Sequence, residues 1–200
     1  MDNQAVQRRS KQPVAMRERL VDTAVELLIN EGVANTTTSA VQRRAGVSRG
    51  ALLHHFPSRA LLLASTVERL VQLNEQQLNE SFLHLVEPET DVEQALIALS
   101  DNMARPSYLA EMELWVISRN DQELRDALYK AEKAARFDLD RVVGKLLSCW
   151  KDYDNYQLLA DLSVEFIRGV AFSDILRHRP EYRYRMISLW TDLIKGSLAQ

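Results

Sequence analysis

Apolar side chains recur every three to four residues along almost the whole chain, and no stretch alternates with the two-residue period of a strand bounded by turn residues. Between Val14 and Glu31, residues Leu20, Ala24, Leu27 and Leu28 share one face of a helix that Gly32 is placed to stop. A short helix follows, with Thr37 or Thr38 as its N-cap hydroxyl and Gly46 at its end. Ser48 opens a third helix that reaches Phe56, and Pro57-Ser58 marks a break and a new start. Leu61, Leu62, Ala64, Ser65, Val67, Leu70, Val71 and Leu78 then predict a longer helix with a broad buried stripe. Helical periodicity resumes after Glu87-Pro88-Glu89, again beyond Pro106, and over residues 121–150, 156–177 and 181–198. The pattern predicts an all-α fold of about nine helices.

Residues 40–59 read AVQRRAGVSRGALLHHFPSR, and six of these twenty are arginine or histidine around one tight turn. Two short helices joined at a glycine able to take a left-handed conformation fit a helix-turn-helix. Val41, Ala45, Val47, Leu52 and Phe56 can close a small core beneath it. Ser48, Arg49, Gly50, Leu53 and His54 are then left on the outer face of the second helix, whose N-terminal half would enter a major groove. The Arg49 guanidinium has the fork geometry to hold guanine O6 and N7 together. Gly50 permits close backbone approach, while Thr38, Arg44, His55 and Arg59 are placed to hold phosphates. The competing reading is an ordinary helical hairpin with a solvated charged face. Against it stands the lack of any acidic residue between Glu31 and Glu68, since a surface with no polyanionic partner usually mixes signs over so long a stretch.

The stretch TTTSAVQRRAGVSRGALLHHFPSRALLLAS resembles the recognition motif of TetR-type transcriptional regulators, with its Thr-rich helix start, A-G-V-S, G-x-L and H-F. The motif resemblance covers about residues 16–70, and the remainder resembles the family in helix count and lengths. It implies an N-terminal three-helix DNA-binding domain over 15–60, preceded by a basic arm at 1–14. An effector-binding and dimerisation domain over 61–200 would follow. By position it implies Arg49 as principal base reader with Ser48, Gly50 and His54 around it. Thr38, His55 and Arg59 become backbone anchors, with Thr37 among the DNA-contacting residues. The partners implied are a double-stranded DNA operator, a small-molecule effector and a second copy of the chain. Two positions depart from the pattern: Leu53 stands where tyrosine is usual, and Gln42 where a small alanine is usual. Leu53 cannot donate a hydrogen bond and is suited to pack or to touch a thymine methyl.

Charge sharpens this picture. The net charge of −3 conceals nine Lys/Arg against five Asp/Glu in residues 1–60, and sixteen against twenty-three in 61–200. A basic head on an acidic body suits a protein of which only the head meets a polyanion. Arg8, Arg9 and Lys11 extend the basic end, either as an arm reaching DNA or as a solubilising tail. In the body, Met103, Tyr108, Met112, Trp115, Phe137 and Phe166 are candidates to line an effector cavity, although a lone Met or aromatic at helical spacing is by default core packing. Phe166, Val170, Phe172, Ile175, Ile187, Trp190, Leu193 and Ile194 give the last two helices wide apolar faces. Those faces suit either a four-helix dimer interface or the completion of a monomer core.

Other function classes find little here. There is no phosphate-binding glycine loop, no G-x-S-x-G and no H-E-x-x-H. His54 and His55 are adjacent and cannot easily clasp one metal. The single cysteine, Cys149, forms no internal disulfide, which suits a reducing cytoplasm. The N-terminal residues lack the apolar core of a signal peptide, and apolar runs fall far short of the ~20 residues that span a bilayer. The expectation is a cytoplasmic DNA-binding regulator with no cofactor or metal, and not an enzyme. The alternative is a helical small-molecule-binding dimer without useful DNA binding.

Overall fold

A computed structural model describes residues 3–83, 92–131, 133 and 155–198. All regular structure among them is helical. Helix α1 runs Asn3–Asn35, α2 Thr38–Ala45, α3 Arg49–His55, α4 Arg59–Leu83, α5 Val92–Met103 and α6 Pro106–Ile117. A 3-10 turn, Ser118–Asn120, leads to α7 over residues 122–131, and the chain ends with α8 (Tyr156–Arg177) and α9 (Pro180–Leu198). The predicted helix over 121–150 is thus described only in its first part. The expected Glu87-Pro88-Glu89 interruption and Cys149 lie outside the described residues. Helix α1 extends back to Asn3, through the segment expected as an arm.

The chain divides into two compact units. The first contains the described residues up to Gln72 together with those from Ala110 to 131. It comprises α1, α2, α3, the first half of α4 and most of α6 and α7. Its core is drawn from the predicted stripes: Leu20, Ala24, Leu27 and Leu28 of α1, Val41 of α2, Leu52 of α3, and Leu62, Val67 and Leu70 of α4 are all buried. Leu61 is the exception on the α4 stripe and is exposed. Helix α1 is interrupted at Gly32, whose φ of 76° and ψ of 171° take it out of the helical region. Few residues other than glycine tolerate that conformation.

The second unit contains the described residues of Leu73–Leu109 and those from Lys133 onward. Its core is a layer of α5 (Val92, Ala95, Leu96, Leu99, Met103) against Ala160, Val164, Ile167 and Ala171 of α8 and Ile187 and Ile194 of α9. Trp190 stacks on Phe166 at 5.1 Å between ring centroids, and its indole N–H donates to Ser163 Oγ at 3.0 Å. A buried arginine ties these helices: Arg183 of α9 donates to the Ser100 carbonyl at 2.8 Å and to Asp101 Oδ1 at 2.9 Å, both on α5. Its charge is matched at short range, which is what lets a guanidinium sit inside.

Candidate nucleic-acid interface

Local chemistry builds the α2–α3 hairpin. The Thr37 hydroxyl accepts from the Ala40 N–H at 3.1 Å and caps α2, so Thr37, not Thr38, is the cap. Gly46 ends α2 in the left-handed region (φ 64°, ψ 35°), and its N–H donates to the Arg43 carbonyl at 3.2 Å. The next N–H, that of Val47, donates to Gln42 at 3.2 Å, which satisfies two carbonyls the helix end would otherwise leave open. The Ser48 hydroxyl then accepts from the Ala51 N–H at 3.2 Å and starts α3. Val41, Leu52 and Phe56 are buried, as the pattern predicts. The Arg17 guanidinium lies 5.2 Å from the centre of the Phe56 ring and donates to Ser65 Oγ at 2.6 Å.

The outer face is open. Ser48, Arg49, Gly50, Leu53 and His54 are all exposed, while Thr38 and His55 are half-buried. The Arg49 side chain makes no hydrogen bond or ion pair with any described residue, so its fork is available. The His54 and His55 rings meet edge to face at 5.4 Å. An exposed helix N-terminal half carrying an unengaged arginine, flanked by further cations, is an arrangement that accepts the edge of a duplex.

Two of the expected phosphate anchors also make contacts within the protein. Arg59 sits at the start of α4 and donates from Nη2 to the Val33 carbonyl at 2.6 Å and from Nε to the Thr36 carbonyl at 3.1 Å. Its guanidinium therefore fastens the α1–α2 joint, although the residue itself remains exposed. Arg44 is paired with Glu31 at 3.1 Å, both side chains about half exposed. Neither contact has a signal in the local sequence, because each joins residues from different helices. The same is true of Glu113 on α6, whose Oε2 accepts the Val33 N–H at 3.1 Å.

The expected effector residues are divided between the two units. Met103 is buried in the core of the second unit, with Tyr108 and Phe166 packed against it. Met112 and Trp115 fall in the first unit, and Phe137 lies outside the described residues. The Tyr108 hydroxyl accepts from Arg168 Nε at 2.9 Å. Burial acts to lower the Arg168 pKa but is outweighed by Tyr108 and Glu165, and the guanidinium is held above its ordinary value. Between α8 and α9 lies an open groove of about 360 Å³, whose walls include Phe166, Val170, Tyr182, Arg183 and Met186. Of the expected dimer face, Ile187 and Ile194 belong to the protomer's own core, Val170 is also buried, and Phe166 and Trp190 are partly buried against the core. Phe172, Ile175 and Leu193 are exposed, joined by Leu158, Leu162, Leu176 and Leu189. Among the described residues no group of His, Cys, Asp or Glu is arranged to hold a metal, and no helix is long and apolar enough to cross a membrane.

Residues 20–66 match the family model described as bacterial regulatory proteins, tetR family. The chain is 30% identical over 156 residues to the HTH-type transcriptional regulator CymR of Pseudomonas putida, a match covering 76% of each protein. Its fold is similar to that of a transcriptional regulator from Rhodococcus sp. Rha1 (TM-score 0.69, 23% identity, 90% of this chain and 96% of that one). It is also similar to a regulator from Saccharomonospora viridis solved in complex with choline (TM-score 0.66, 18% identity, 88% and 95% covered).

Proposed function

The chain belongs to the tetR family of bacterial regulatory proteins and is a DNA-binding transcriptional regulator rather than an enzyme, and from that premise we propose that it is a homodimeric repressor released from a palindromic operator by a small-molecule effector. The observation that carries this reading is the unengaged Arg49 on the exposed N-terminal half of α3, capped and angled by Ser48 and Gly46. Each head reads one half-site. Arg49 takes a guanine through O6 and N7, and Leu53 packs on the groove floor where a thymine methyl would meet it. Two heads enter successive major grooves when their recognition helices stand about 34–36 Å apart.

The second copy is recruited through the exposed leucines and aromatics of α8 and α9, since a face that apolar is uncommon on a monomer. The effector enters the second unit, where Tyr108 and Phe166 remain partly open beside the α5 core. The choline complex of the Saccharomonospora viridis regulator supports a small organic ligand for a protein of this fold. Release follows only when the effector binds the form with spread heads more tightly than the form that fits DNA.

Selection from a genomic fragment library followed by titration at several salt concentrations tests the reading. Sequence-selective binding that weakens steeply with salt is expected. Equal affinity for every fragment, or none at low salt, would favour instead a ligand-binding dimer whose heads no longer serve DNA.

A further inference from the structure

The joint between α1 and α2 carries more structure than a connector of its length needs. Gly32 leaves the helix at φ 76° and ψ 171°. Several backbone groups around that break are taken up by side chains. The Gly32 carbonyl accepts from the Thr36 hydroxyl at 2.9 Å, and the carbonyls of Val33 and Thr36 accept from Arg59. The Val33 N–H donates to Glu113 Oε2 at 3.1 Å, and the other oxygen of that carboxylate stands 3.4 Å from where a Cβ on residue 32 would be. A cation at the start of α4 and an anion on α6 thus hold one short stretch of backbone from its two polar sides. One residue beyond this stretch, Thr37 caps α2 and so sets where the helix-turn-helix begins.

We propose that Glu113 is a positioning residue for DNA recognition: through Val33 it fixes the entry of α2 and thereby the presentation of α3, so that operator affinity depends on a carboxylate of α6 that is not itself a DNA ligand. The inference rests on the regulator reading and adds a residue that the recognition motif does not contain. A charge-assisted hydrogen bond to a backbone N–H at a break is directional and stronger than a neutral one. Without it the joint keeps its glycine freedom and loses one of its fixings.

The test compares operator affinity, binding to random duplex and thermal melting for the full chain with Glu113→Ala and Glu113→Gln, using an operator found by selection. The alanine variant is expected to lose about tenfold in operator affinity, the scale of one charge-assisted hydrogen bond, with a smaller change on random duplex and faster hydrogen exchange at the Val33 amide. Glutamine keeps an acceptor for that amide and should restore most of the loss. Wild-type operator affinity in Glu113→Ala overturns the inference, as does a loss that merely follows the fraction unfolded at the assay temperature. If the alanine variant does not fold, Glu113→Asp replaces it. Aspartate retains the charge and falls short of Val33, so unaltered affinity there is equally fatal. A wild-type protein that selects no sequence would instead remove the regulator reading, a result distinguishable from either.

Discussion

The α2–α3 and α8–α9 hairpins are made in the same way and do opposite things with their outer faces. In both, the first helix ends on a residue in the left-handed region, Gly46 at φ 64° and His178 at φ 47°. At Gly46 this conformation carries no steric cost. For a residue with a side chain, such as His178, it costs roughly 1–2 kcal/mol. The Asp174 residue offsets that strain: its carbonyl accepts the His178 N–H at 2.9 Å and its Oδ1 accepts the Arg179 N–H at 2.7 Å. Pro180 then starts α9, where a missing N–H removes nothing. Beyond the turn the likeness ends. The first hairpin shows solvent Arg43, Arg49 and His54, whereas the second shows Phe172, Leu176, Leu189 and Leu193. The comparison teaches that a tight helical turn specifies neither DNA nor protein as partner. The side chains that the turn leaves outside make that choice.

The contrast breaks most severely if the apolar hairpin is charged. Leu176 is 89% exposed and Leu189 60% exposed, so Leu176→Glu with Leu189→Glu should leave thermal melting of the protomer nearly unchanged. It should separate the copies in sedimentation, and operator affinity should fall by about a hundredfold or more as two linked heads become two independent ones. Retention of a dimer by that variant would place the second copy elsewhere. Next in size is Arg49→Ala, for which titration against operators varied one base pair at a time should show a loss of about 1–3 kcal/mol and a relaxed preference at one position. A uniform loss across all sequences would make Arg49 a phosphate contact. The smallest effect concerns the pair of Arg44 with Glu31, in which both partners are about half exposed. Glu31→Gln should tighten binding by less than about 1 kcal/mol, as an exposed ion pair of that kind is weak. Weaker binding would mean that Glu31 orients Arg44 usefully.

The head was legible where its chemistry is local. A glycine between two short helical patterns and a hydroxyl at each helix start located Gly46 and Ser48 and narrowed the first cap to Thr37 or Thr38, since each of these interactions spans only a few residues. The contacts of Arg59 were hidden for the opposite reason. Its targets are backbone carbonyls 23 and 26 residues earlier, and no periodicity reports a bond across that distance. Glu113 lies 80 residues from the amide it holds and was equally hidden. In α8 and α9 the difficulty was different. Both helices are apolar on more than one side, so spacing alone could not separate buried Ile187 from exposed Leu189, two residues away. Packing against α5 decides which side faces inward, and that is a property of the assembled unit.

Gly46 has one more consequence. A methyl group placed on its α-carbon in the ordinary hand would meet no atom within 4 Å, so torsion alone, and not crowding, keeps other residues out. The mirror-image amino acid reverses that torsional preference. A semisynthetic chain with D-alanine at position 46 should melt higher by the equivalent of about 0.4–1 kcal/mol, because the unfolded chain would surrender freedom that the native turn never uses.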